Sequence, residues 1–234
     1  MRPVLLIALN FLRESRWAIL LLLLWAVISG VAAAYSIRTE RDDALFFLKQ
    51  QAVYGVVFTA FLASSAIYNQ RRSRRILAVL AKAISRSQYL AGLELGFLAS
   101  AAIYSVAIAV LGGWVFARGG FPATHIASVA IMLLAASVLA GTIALLFSTF
   151  LSPLFAIALT ALVVGTNGLL AHFSSGPWAQ LMPVYVLTQS ILGFSFENWA
   201  PAWTATGWAL LESIIVWALA SWIFSYRDLA VAIE

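Results

Sequence analysis

The sequence contains no cysteine, so it forms no disulfide and offers no thiolate for redox or nucleophilic chemistry. Charge is scarce as well: only 10% of the 234 residues are Asp, Glu, Lys or Arg. A soluble domain of this length needs far more polar surface. Histidine occurs at His125 and His172 alone, and HExxH is absent. A zinc site needs clustered His, Asp or Glu, so no metal is expected. GxxxxGK[ST] is missing too, and any ATP must be hydrolysed by another chain. GxSG is also missing, and His172-Phe173-Ser174-Ser175 is too local to place a serine and a histidine on facing helices. That argues against an intramembrane protease. The chain is not expected to be an enzyme.

What is abundant is apolar surface. Hydrophobic residues make up 63% of the chain, and mean hydropathy is +0.97. A membrane β-barrel would show alternating ten-residue segments, whereas these apolar runs are continuous. The expected fold class is therefore an all-α integral membrane protein. A helix needs about 20 residues to cross roughly 30 Å of hydrocarbon. Six runs qualify, at about 17–35, 51–69, 89–117, 124–148, 153–172 and 203–224. They form one transmembrane domain, without a linker or a clear internal repeat. Ala32-Ala33-Ala34 resembles a signal-peptidase site, but the run before it is longer than a usual h-region and reads as a span.

Lys and Arg of short loops favour the cytoplasmic side. With six spans, one side holds Arg2, Arg13, Arg16, Arg71, Arg72, Arg74, Arg75, Lys82, Arg86 and Arg227. The other holds Arg38, Arg41, Lys49 and Arg118. Both termini are thus expected in the cytoplasm. The net charge of +5 reads as this orientation signal, with no nucleic-acid partner. Residues 173–202 are too few for two crossings and too apolar for a free loop. Pro177, Pro183 and Pro201 interrupt them, which predicts a short interfacial or re-entrant helix near 184–192.

Two segments are amphipathic. In the connection after the second span, about 71–87, Arg71, Arg75, Ala78, Lys82 and Arg86 share one helical stripe. Ile76, Leu80, Ala83 and Ile84 cluster opposite. Such a helix either lies in the lipid interface, its arginines on phosphates, or docks into a soluble partner. Its aliphatic ridge and small residues favour docking. At the N-terminus, Val4, Leu5, Ala8 and Leu12 lie on one side of 2–16, with Asn10, Arg13 and Glu14 on another. That segment predicts a helix on the inner leaflet ahead of the first span.

Ionisable residues inside spans are functional candidates. Glu212 lies near the middle of the last span, and Glu94 about one turn into the third. Each reads either as a contact in a translocation path or as a structural carboxylate. For Glu94 the structural reading is an interfacial carboxylate near Arg86 or Arg227. Asn167, between Gly165 and Gly168, is a milder candidate for the path.

The run RRILAVLAKAISRSQYLAGLELG, residues 74–96, resembles the segment after the second span of ABC-2 type ABC transporter permeases. The family pattern of Pro-Ile-Ser-Arg, a Tyr or Leu pair and a Gly stands here as Ala83-Ile84-Ser85-Arg86, Tyr89-Leu90 and Gly92. The amphipathic N-terminus, the six spans and Phe224-Ser225-Tyr226-Arg227-Asp228-Leu229 are similar too. Two positions depart from the pattern: Ala83 replaces a proline, and Gln70 with its arginines stands where the family often has an acid.

The resemblance implies a permease subunit of the bacterial cytoplasmic (inner) membrane that pairs as a homodimer and works as an exporter. It implies a cytosolic ABC ATPase partner, which would bind ATP and Mg; this chain would hold no cofactor. The connection at 71–87 would be a coupling helix, docking through Arg75, Leu77, Leu80, Lys82, Ile84, Ser85 and Arg86. Two other readings stay open. One is a non-transporting anchor or assembly factor whose basic helix binds lipid or protein. The other is an ion-coupled carrier resting on Glu212.

Overall fold

The computed structural model describes residues 2–36, 41–72, 84–116, 123–165 and 200–226. The described residues form six helices: α1 (Arg2–Ser36), α2 (Arg41–Arg72), α3 (Arg86–Phe116), α4 (Ala123–Ser148), α5 (Pro153–Gly165) and α6 (Ala200–Tyr226). All but α5 are long and apolar enough to cross a membrane, which makes the chain an all-helical integral membrane protein. The expected fifth span is described only from Pro153 to Gly165. The short helix expected near 184–192 lies outside the described residues.

Helix is the form these runs must take, because lipid offers no partner to a free amide or carbonyl. Many of the hydroxyl side chains are satisfied in the same local way. Thr59 donates to the Gly55 carbonyl, Ser100 to Gly96, Thr160 to Ala156 and Ser213 to Ala209, each within one turn. Pro153 opens α5, where its missing N–H costs no helical bond. The four-residue turn before it folds α5 back against α4.

Helix α4 is the centre of the bundle. It packs against α2, α3, α5 and α6, and Leu133, Ala136, Leu139, Ala140, Ala144 and Leu145 are completely enclosed. The outer helices α1 and α6 keep most of their apolar side chains exposed, including Trp17, Leu21, Ile214 and Trp222. In a bilayer these face acyl chains, which are as apolar as the side chains themselves.

Two expectations change. The N-terminal segment is not a separate helix: α1 runs unbroken from Arg2 to Ser36, a rod of about 52 Å. Nothing between Pro3 and Gly30 interrupts it, neither proline nor glycine. Nor is Leu5 on its packed side; Leu5 is 59% exposed, while Ala8 and Phe11 are buried. The contact that decides this is with α3. A Cβ placed on Gly92 would lie 2.7 Å from Ile7, and one on Gly96 would lie 2.7 Å from the Phe11 ring. Two glycines one turn apart thus let α1 approach α3 closely. The second change is that α2 begins ten residues before residue 51, and its apolar window opens at Phe46.

Candidate functional site at the connector end of the bundle

Residues 73–83 join α2 to α3. Arg75, Leu77, Leu80 and Lys82 fall within them and lie outside the described residues, as does Asn167. The chain on either side of the connector is held by side chains.

On the α2 side, the Gln70 amide donates to Glu14 Oε2 at 2.8 Å, and Asn10 donates to Glu14 Oε1 at 3.0 Å. An acidic residue at position 70 would instead repel Glu14, so this arrangement needs an amide there. On the α3 side, Ser85 and Gln88 form a reciprocal cap. The Ser85 hydroxyl accepts from the Gln88 N–H, and the Gln88 side-chain oxygen accepts from the Ser85 N–H, both at 3.2 Å. Two amides at the start of α3 are satisfied in this way.

Arg86 reaches across to the end of α6. Its Nη1 donates to the Ser225 carbonyl at 2.8 Å and to the Phe224 carbonyl at 3.2 Å. These are last-turn carbonyls, which lack helical partners and carry partial negative charge. One turn on, the Tyr89 ring lies on Phe224, with centroids 6.2 Å apart and planes 21° apart. Both rings are buried. Ile84 helps to line an open cavity of about 220 Å³, together with Pro3, Leu6, Ile7, Gln70 and Tyr89.

The two span carboxylates do not share an environment. Glu94 sits inside the bundle, where Thr142 of α4 donates to its Oε1 at 2.7 Å. Its Oε2 is enclosed without a hydrogen-bond partner. Thr142 is thus the hydrogen-bond partner of Glu94, and the Arg86 contacts described here are with α6 carbonyls; Arg227, the other expected neighbour, lies outside the described residues. Glu212 is 8% exposed, and its Oε2 likewise has no partner. Neither carboxylate makes an ion pair among the described residues. No cluster of three or more His, Asp or Glu suited to a metal occurs there either.

The sequence reading missed a third polar group. Tyr104 Oη lies 3.0 Å from the Gln51 carbonyl and 3.1 Å from Gln51 Oε1. Gln51 Nε2 in turn donates to Ser29 Oγ at 3.0 Å, linking α1, α2 and α3. Gln51 and Tyr104 are both buried. The available signal was a glutamine and a tyrosine, each inside an apolar run long enough to span.

Compared with protein-family models and with curated proteins, the chain gives no match.

Proposed function

We propose that this chain is the permease subunit of an ATP-driven ABC transporter, an exporter that pairs as a dimer and is powered by a separate cytosolic ATPase. The observation that carries the reading is the cationic, amphipathic segment 71–87, whose ends at 71–72 and 86–87 lie within the membrane-length helices α2 and α3, in a chain without a phosphate-binding loop. The resemblance of 74–96 to the ABC-2 type permeases gives that segment its role. Two further facts support the reading. The chain is tied down immediately before and after residues 73–83, as a force-bearing connector needs. The span carboxylates Glu94 and Glu212, with Asn167, supply polar groups for a path through the bundle.

The docking contact is assigned to Arg75, Leu77, Leu80 and Lys82. Aliphatic side chains supply packing, and the cations pair with acidic residues of the ATPase to set orientation. Ile84, Ser85 and Arg86 form the root on which that contact stands.

The test is copurification. The native chain carries an ATPase with it through affinity purification in mild detergent. Leu80→Asp, or charge reversal at Arg75 and Lys82 together, removes the ATPase while the permease elutes as a folded species. Unchanged binding by these variants would defeat the docking assignment. The rival reading, an anchor whose basic helix holds lipid, expects binding to anionic vesicles that weakens with salt. It also expects no response to nucleotide.

A further inference from the structure

We propose that Arg86 is a positioning residue: it makes the first turn of α3 and the last turn of α6 move as one body when the ATPase closes on nucleotide. This rests on the permease reading above.

The argument is geometric. Elsewhere α6 packs mainly on α4 and meets α3 only lightly. At this end the two are joined by three contacts within one turn: two guanidinium hydrogen bonds to main-chain carbonyls and one ring stack. Arg86 and Tyr89 are three residues apart and so lie on the same side of α3. Both target the same short piece of α6, Phe224 and Ser225. The α3 turn that carries them is itself closed by the Ser85–Gln88 cap, so it moves as a unit.

Chemistry favours a cation here over any neutral donor. The exposed carbonyls at a helix C-terminus attract positive charge, and one nitrogen bridges two of them. A pull on the start of α3 is therefore delivered to the last turn of α6, where Phe224 is fully enclosed. Glu212 lies twelve residues from Phe224 on the same helix, about 18 Å along the axis. Displacement of the α6 end is thereby displacement of the helix that holds this carboxylate.

The experiment uses the full-length chain with its copurified ATPase in lipid nanodiscs. The absence of native cysteine lets this chain carry spin labels at chosen pairs alone. One pair is Ser87→Cys with Phe150→Cys; the other is Tyr226→Cys with Phe150→Cys. All three positions are exposed, and Phe150 follows the central helix α4. Distances are read without nucleotide and with ATP plus vanadate.

With Arg86 present, both distances shift. In R86M the Ser87 shift persists and the Tyr226 shift falls by at least half. R86K restores it, because a single ammonium can serve both carbonyls. A Tyr226 shift in R86M as large as with arginine overturns the proposal alone. Loss of the ATPase from R86M also overturns it, assigning Arg86 to the docking contact instead. If neither distance responds to nucleotide, the permease reading fails and the proposal falls with it. A control without ATPase checks the junction itself: amides 222–226 exchange hydrogen several-fold faster in R86M. Unchanged exchange counts against it.

Discussion

Among the described residues, polar contacts between helices fall at two depths, and the difference is instructive. In the Ser29–Gln51–Tyr104 group, Gln51 and Tyr104 are almost without exposure and Ser29 forms its partly buried edge. The Glu14–Gln70 and Arg86–Ser225 links sit at the connector end, partly exposed, and each joins an outer helix to an inner one. The first fixes which helices are neighbours. The second fixes where the ends of α1 and α6 stand relative to the connector. A junction that must hold permanently is best buried, because lipid and protein offer no substitute partner. One that transmits movement belongs where its groups can be lost and regained at small cost.

The comparison can be broken most sharply at Gly55. A Cβ there would lie 2.6 Å from the Tyr104 ring and 3.0 Å from Leu133. Gly55→Leu is expected to overpack this site by about 3 kcal/mol or more, lowering the unfolding temperature in detergent and broadening the gel-filtration peak. A variant as stable as the native chain would mean that the buried junction is not tightly packed.

Next comes Tyr104→Phe. It removes the donor shared by the Gln51 carbonyl and Gln51 Oε1, a loss of about 1–2 kcal/mol given the range for hydrogen bonds between membrane helices. Unfolding in a denaturant series reads this effect. A change below a few tenths would put the junction on the same footing as the outer links.

Thr142→Val should cost about 0.6–1.7 kcal/mol by orphaning Glu94 Oε1. Paired with Glu94→Leu, the loss should be less than additive, since the valine then has no carboxylate to strand. Strict additivity in that double-mutant cycle would show that the two side chains do not act together.

Gln70→Leu should do least to stability, about 0.5 kcal/mol, because Gln70 is itself buried but the Glu14 carboxylate it leaves is exposed and can turn to water. Its effect should appear as faster hydrogen exchange near Asn10 and Glu14. A loss as large as that of Tyr104→Phe would erase the distinction between the deep and the outer junctions.

Five of the six expected spans were legible because length and continuity of apolar residues are sufficient signals in lipid. Span four, expected at 124–148, agrees with α4 to within a residue. Helix ends were less so. Residues 41–50 include Arg41, Asp42, Asp43 and Lys49, and such a stretch continues a helix past the hydrocarbon without looking like a span. Pairing was hardly legible. The 2–16 segment has sides, but its polar residues say only which side avoids lipid, not which helix it meets, so the burial of Phe11 against Gly96 was not deduced. The GLELG glycines were in view, but their partner was not. The Ser85-Arg86-Ser87-Gln88 cap was readable as a local pattern. The Arg86 contact was not, because its acceptors are main-chain carbonyls some 140 residues away, which no side-chain pattern announces.

The seat for α1 on Gly92 and Gly96 has a consequence for biogenesis. The first helix leaves the ribosome long before its berth exists: from its end at Ser36, roughly 60 more residues must be made. At bacterial and eukaryotic synthesis speeds of about 5–20 residues per second, that is several seconds alone in the lipid. During that interval the strip around Ile7 and Phe11 is covered by acyl chains, and it exchanges them for the two glycines only when the third helix arrives.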